Sequence, residues 1–354
     1  MAVVGFSKII KEKKSFLLFT LAFFVIIFCY FVLQLDLKPL KPPILSDEET
    51  QPLPQCPSMP QYPAVFYAKG NTIEAKVIYF EPSLYGDVLV FNYPDCVRCM
   101  MIDGSNQSCW DFYHQAPVTY VIDIRRFFQN YLKNIEDVLV VGMGVGTLLR
   151  EWSLNNVSNF KIDAVEINPK VIEVAKNFFV LPENLDYNII IDDGRHFLRE
   201  SNKKYDVIIL DLCEIVDSNV HLWTEEFYEL AKSKLKKDDS FLIVTLNVFR
   251  GVDKNRLDHM VANTLKRNFQ NIYVLDRGKG KINDWQMVVF FATQKPLDIL
   301  SLEDFPLEEW QFASNDYFIT DENSPKVVQY YFPVFEKIRG ETSKYFGPSI
   351  LLEP

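Results

Sequence analysis

Residues 138–147 read VLVVGMGVGT, four apolar residues of strand length running straight into a GxGxG turn. Three of the chain's 13 glycines, Gly142, Gly144 and Gly146, fall in that turn. A strand that bends there and resumes as a helix lets backbone approach a ligand, because a Cβ would block either the tight turn or a nucleotide. A packing turn is the other reading of a lone GxGxG. The next strand favours the ligand: Val165-Glu-Ile-Asn-Pro169 puts Glu166 at the carboxyl end of the second strand, where acids bind a ribose diol. Asp192-Asp-Gly194 ends the strand after that, where Asp193 can accept a hydrogen bond from an adenine amino group; a surface acidic turn is its alternative. Together these elements predict an adenosine site built from Gly142, Gly144, Gly146, Glu166, Asp193 and Gly194.

Outward from this turn, apolar runs of strand length recur at 161–167, 188–192, 205–211 and 240–246. Helix-like stretches at 147–154, 169–179, 224–236 and 254–268 lie among them. That alternation predicts an α/β fold with a doubly wound parallel sheet, and NIYVLDR at 271–277 before WQMVVFFA at 285–292 predicts a terminal antiparallel pair. Seven strands with a closing hairpin resemble the Rossmann-like order of class I methyltransferase-type folds. Upstream, 76–102 shows short alternating runs broken at Gly86, Asn92-Tyr-Pro-Asp95 and Asp103-Gly104, a small antiparallel sheet. The expected bodies are a small β-rich domain at 64–120, a nucleoside-binding domain at 121–299 and a carboxy-terminal extension at 300–354.

The composition is that of a globular protein: 354 residues, 48% hydrophobic, 24% charged. A net charge of −10, from 37 Lys+Arg against 47 Asp+Glu, argues against nucleic acid as principal partner. Residues 15–33, SFLLFTLAFFVIIFCYFVL, carry no formal charge and match the length of one transmembrane helix. Their length and bulky aromatics argue against a cleaved signal peptide, and their lack of a polar face against a buried core helix. Lys8, Lys11, Lys13 and Lys14 precede the run against Lys38 and Lys41 after it, which predicts a cytoplasmic amino terminus (1–14) and a single-pass membrane protein of type II with a luminal or extracytoplasmic body. The proline-rich 34–63 reads as a stalk. In an oxidising lumen Cys56, Cys96, Cys99 and Cys109 can form disulfides, and Asn106-Gln-Ser108 and Asn156-Val-Ser158 become glycosylation sequons. Cys96-Val-Arg-Cys99 lacks a second Cys or His pair at metal-site spacing, so no metal is expected.

The fourth strand ends in Asp211-Leu-Cys-Glu214. A doubly wound sheet binds ligands outside the carboxyl ends of its strands, so both carboxylates are candidates for orienting a cationic substrate or taking a proton from an attacking amine. Helix capping in a solvated loop is the alternative. His114, His196 and His221 stand in no triad-like context and read as structural.

The order of these motifs resembles the spermidine/spermine synthase (polyamine aminopropyltransferase) family. The similarity spans about 76–295: Tyr85-Gly86-Asp-Val-Leu-Val, Met101-Ile-Asp103-Gly104-Ser-Asn-Gln107, VLVVGMGVGTLLRE, AVEINPKVIEVAKNFF, Asp193-Gly194, YDVIILDLCEI and Leu222-Trp-Thr-Glu-Glu-Phe-Tyr228. The resemblance implies a small β domain against a Rossmann-like domain, a decarboxylated S-adenosylmethionine donor, a polyamine acceptor and a homodimer. By motif position it implies that Gln107 lines the pocket, Glu166 holds the ribose, Asp193 contacts adenine and Asp211 assists the attacking amine.

Departures from that pattern shape the expected activity. The family's glycine loop usually reads GGGDGG, and the aspartate that grips the donor's amine is Val145 here. The DSSDP-like segment keeps Asp211, changes its second acid to Glu214 and loses the proline, while Tyr113-His114-Gln115-Ala116 is shifted from the acceptor-side Tyr-Gln-Glu. An aspartate at 145 would repel the carboxylate of intact S-adenosylmethionine and valine would not. The expectation is therefore a membrane-anchored methyltransferase-like enzyme that uses S-adenosylmethionine on an amine or protein acceptor, with Asp211 and Glu214 positioning it. An aminopropyltransferase using decarboxylated S-adenosylmethionine is the first alternative, and a non-catalytic binding module the second. Such donors are made in the cytosol, so a luminal body would need donor transport.

Overall fold

The computed structural model describes residues 62–329 apart from 69–70, 94–95, 104, 113–114, 118–119, 158, 213–218, 251–256, 277–283, 298–306 and 311–316. The anchor predicted at 15–33 lies outside the described residues, as do His114 and Glu214. Among the described residues, no helix is long and apolar enough to cross a membrane.

Six strands form an antiparallel meander in chain order: β1 (Tyr62–Ala68), β2 (Asn71–Glu81), β3 (Val88–Asn92), β4 (Val97–Ile102), β5 (Ser105–Asp111) and β6 (Ala116–Pro117). β1 begins inside the stretch read as stalk, and Pro63 is accommodated because β1 is the edge strand. Cys99 and Cys109 stand opposite one another on β4 and β5 and form a disulfide. That bond takes Cys99 out of the CxxC pair, and the described residues contain no group of three side chains that could hold a metal ion.

After α1 (Val121–Tyr131) the alternation begins: β7 (Asp137–Val141), α2 (Thr147–Leu154), β8 (Lys161–Glu166), α3 (Pro169–Phe178), β9 (Tyr187–Ile191), α4 (Gly194–Glu200), β10 (Val207–Leu210), a 3-10 turn at Val220–Leu222, α5 (Glu225–Ser233), β11 (Phe241–Arg250) and α6 (Leu257–Asn268). β12 (Asn271–Asp276), β13 (Asp284–Thr293) and β14 (Leu307–Glu309) close the sheet in the order β14-β12-β13-β11-β10-β7-β8-β9. β9, β8, β7, β10 and β11 are parallel and the last three strands antiparallel. The sheet therefore has eight strands rather than the seven expected. The extra one, β14, comes from the carboxy-terminal extension and pairs with β12.

The strands read as continuous apolar runs because both faces of the sheet are covered. Val138, Val140, Val207 and Ile209 pack with Ile124, Phe127, Leu148 and Trp152 from α1 and α2. Their alternating neighbours Leu139, Val141, Ile208 and Leu210 pack on the other side with Leu198, Phe227, Val261 and Leu265 from α4, α5 and α6. Each such side chain, fully buried, contributes about 1.5–3 kcal/mol. Helix starts follow local chemistry. Asn168 caps α3 by accepting from the Lys170 amide at 3.0 Å, with Pro169 in the first turn, and Thr224 caps α5 by accepting from the Phe227 amide at 3.2 Å.

Two arginines meet where the small sheet packs on α3. Arg98 of β4 is buried and donates to the Phe178 carbonyl at 2.6 Å, while Arg150 of α2 donates to the Phe179 carbonyl at 2.5 Å. Both guanidinium groups lie over the Phe112 ring, at 5.1 and 5.0 Å from its centre. The two cations thus meet the carbonyl-rich end of α3, where the helix dipole favours positive charge. At the amino-terminal ends of the parallel strands, Lys236 joins Asp137 (2.7 Å) and Asp206 (2.9 Å), and Lys203 joins Asp137 (3.0 Å) and Asp163 (2.9 Å).

Candidate functional site

A cavity of about 680 Å3 opens at the carboxyl ends of β7, β8 and β10. The strand order reverses between β7 and β10, which is where open α/β sheets leave a crevice for a ligand. Gly142, Gly144, Glu166, Asp193, Gly194 and Asp211 all line it, and Gln107 reaches it from the small sheet.

Gly142 has φ 87°, and a Cβ there would lie 2.3 Å from the Asp211 carbonyl oxygen, so glycine lets the first strand turn against the fourth. Gly144 is different. Its φ is 53° and a Cβ would meet nothing within 4 Å, so the missing side chain leaves open space at the cavity wall. Gly146 does not line the cavity, contrary to expectation. At φ 78° it turns the chain into α2, and a Cβ would strike Leu181 at 2.3 Å. Gly194 brings α4 against Val141, whose Cγ1 lies 2.3 Å from where a Cβ would be.

Glu166 is buried at the end of β8 and holds the glycine loop in place. Its carboxylate accepts from the amides of Gly144 and Asn168, each at 3.0 Å. Burial pushes the carboxyl above its ordinary value, and these amides pull in the other direction without cancelling it. Asp193 caps α4 by accepting from the His196 amide at 2.8 Å, and its other oxygen accepts from His221 Nε2 at 2.8 Å. The hydrogen bond from His221 holds the Asp193 carboxyl below its ordinary value despite partial burial. His221 lines the same cavity, so it is no longer a bystander. His196 instead pairs with Asp192 at 2.9 Å on the exposed side of the helix.

Asp211 follows β10. Burial pushes its carboxyl up to about 6, against hydrogen bonds from the hydroxyls of Tyr120 and of Thr245 (3.0 Å), which lower it. A carboxylate so poised, with two fixed donors, can take a proton from an ammonium group near neutral pH. Tyr120, Thr245, His221 and the cavity-lining Asn247 were not singled out as site residues in the sequence reading.

Gln107 reaches the cavity through a local irregularity. Met100 pairs with Ser108 and Met101 with Asn106, so Gln107 is the extra residue of a β-bulge. The bulge lies within a run of five consecutive cavity-lining residues, 105–109, and Ser108 Oγ meets Thr147 Oγ1 of α2 at 2.6 Å. Val145, buried, lines the wall beside that contact.

Residues 119–275 match the spermine/spermidine synthase domain. The polyamine aminopropyltransferase of Buchnera aphidicola subsp. Schizaphis graminum is 31% identical over 204 residues, which cover 56% of this chain and 68% of the relative. The spermidine synthase of Thermotoga maritima superposes with a TM-score of 0.51 at 20% identity, covering 83% of this chain and 97% of that one. A probable spermidine synthase from Corynebacterium glutamicum gives 0.54 at 17% identity, covering 75% and 97%. At such identities the two structural likenesses establish the fold.

Proposed function

Because the chain belongs to the spermine/spermidine synthase family, we propose that it transfers an aminopropyl group from decarboxylated S-adenosylmethionine to an amine, with Asp211 receiving the proton the amine must lose. This departs from the methyl transfer that Val145 suggested in the sequence. The observation that carries it is the geometry at Asp211, which lines the glycine-walled cavity and is fixed by hydrogen bonds from the hydroxyls of Tyr120 and Thr245. Attack by an amine on either donor needs such a proton acceptor, and the activity of the curated relatives favours the aminopropyl donor. A tuned proton acceptor has more to do when the nucleophile is an amine that is an ammonium ion in water.

The residues present fit a nucleoside donor. The open wall at Gly144 gives room for backbone approach, and Glu166 and Asp193, which both line the cavity, are read as the partners of the ribose diol and the purine amino group. In the proposed step the neutral amine nitrogen attacks the propyl carbon bound to sulfur. A C–N bond forms, the C–S bond breaks with its electron pair going to sulfur, and neutral 5′-methylthioadenosine leaves. Asp211 takes the one proton that the acceptor's ammonium loses before the attack and passes it to solvent, and the secondary amine that forms leaves as an ammonium. The positive sulfonium is consumed, so the protein's part is orientation, desolvation and proton acceptance.

Val145 favours a second reading, methyl transfer from the intact donor, since an apolar wall does not repel a carboxylate. Calorimetric titration of the full chain with the decarboxylated and the intact donor separates the two. Tighter binding of the decarboxylated form is expected; tighter binding of the intact form overturns the aminopropyl reading.

A further inference from the structure

We propose that His221 is a positioning residue for the nucleobase: it fixes the Asp193 carboxylate as a pure hydrogen-bond acceptor, so that the site takes a 6-aminopurine and rejects a 6-oxopurine. The inference rests on the nucleoside-donor reading above and deepens it.

Both Asp193 oxygens are engaged from the protein side. The His196 amide reaches Oδ1 and His221 Nε2 reaches Oδ2, each at 2.8 Å. An ionised carboxylate only accepts hydrogen bonds, so His221 Nε2 carries the proton in this contact. Two donors at two oxygens lock the carboxylate plane, and each oxygen keeps a lone pair for a further donor. An exocyclic amino group can supply that donor, whereas a keto oxygen presents a second acceptor to a negative group and is repelled. Without His221 the carboxylate keeps only the backbone amides of Arg195 and His196 and loses the contact that most favours its ionised form.

The turn that carries His221 is itself fixed. Its flanking side chains Val220, Leu222 and Trp223 are buried. The His221 carbonyl accepts from Arg195 Nη1 at 3.1 Å, and Arg195 is held from behind by both carboxylate oxygens of Asp321, at 2.7 and 2.5 Å. Asp321 belongs to the carboxy-terminal extension, so a segment outside the cavity braces the residue that braces the base-reading acid. This is more than a helix cap requires, since the cap is complete with the His196 amide alone.

The test measures binding of 5′-methylthioadenosine and 5′-methylthioinosine to the full chain, wild type and with His221→Ala and His221→Gln. These probes share ribose and thioether and differ at position 6 and at the adjoining N1, an acceptor in the 6-amino compound and an N–H donor in the 6-oxo one, so the probes report the whole edge of the base. Wild type is expected to prefer the 6-amino compound. His221→Ala is expected to weaken that compound roughly tenfold while changing the 6-oxo compound little, so that discrimination collapses. His221→Gln, whose amide supplies a neutral donor, is expected to restore discrimination to within about threefold of wild type. If His221→Ala keeps both affinity and discrimination, or if His221→Gln weakens both probes as much as alanine does, the positioning role is overturned. If wild type binds neither probe, the nucleoside-donor reading itself falls, an outcome distinct from the first two.

Discussion

Tyr120 donates its hydroxyl hydrogen bond to Asp211 across 91 residues of sequence, tying the residue before α1 to the end of β10. The contact joins the segment that follows the small sheet to the acid at the mouth of the large sheet's crevice. Thr245 of β11 holds the same carboxylate oxygen from the neighbouring strand. A group fixed by two elements on either side needs no reorganisation when a proton arrives, and such fixed arrangements are what a proton acceptor requires.

Replacing Asp211 with Asn removes the proton acceptor while keeping shape. Turnover should fall by about 100-fold or more, and affinity for 5′-methylthioadenosine should stay within about threefold of wild type. Steady-state kinetics alongside calorimetry check both halves.

The pH dependence of turnover follows from the same residue. Asp211 accepts a proton only when ionised, so activity should fall as pH drops through about 6. Tyr120→Phe and Thr245→Val each remove a donor that favours the ionised form, so each should move that limb to higher pH, by about one pH unit. A limb that stays put or moves to lower pH contradicts the assignment.

The glycines of the loop should separate on substitution. Gly142→Ala drives a Cβ to 2.3 Å from the Asp211 carbonyl and should cost about 2 kcal/mol or more of stability, read in denaturant melts. Gly144→Ala points into open space, so it should cost about 1 kcal/mol for its left-handed backbone and chiefly weaken nucleoside binding.

The same site shows what the sequence makes legible. Gly142, Gly144, Glu166, Asp193 and Asp211 stand at the carboxyl ends of apolar runs, and the topology of a doubly wound sheet forces such positions together. Gly146 groups with them in the sequence because a residue needed for a left-handed turn and one needed for ligand approach look alike in a string of letters. Motif position singles out Gln107, yet the bulge it occupies depends on pairing register. Tyr120, Thr245 and His221 carried no local signal. Their meaning comes from partners 91, 34 and 28 residues away. β14 was missed because Leu307–Glu309 is too short to show alternation and forms only by adding to the edge at β12.

Acid stability tests the fold's other electrostatic feature. Burial pushes the Asp206 carboxyl up, and the amides of Glu136 and Asp137 with the Lys236 ammonium more than offset it, leaving it below its ordinary value. A carboxyl depressed in the folded state stabilises the fold above its unfolded value and loses that contribution as pH falls through the folded one. Asp206→Asn should therefore cost about 1–3 kcal/mol at neutral pH and progressively less below pH about 4, as measured by urea melts across pH.

The most direct measurement of the central claim is product formation by the full chain given decarboxylated S-adenosylmethionine and a diamine, followed by chromatography of both products. The expected products are 5′-methylthioadenosine and an aminopropyl-extended amine in equal amounts, with neither formed by the Asp211→Asn chain above background. Binding of the donor by the wild-type chain with no release of 5′-methylthioadenosine from any amine offered would contradict it.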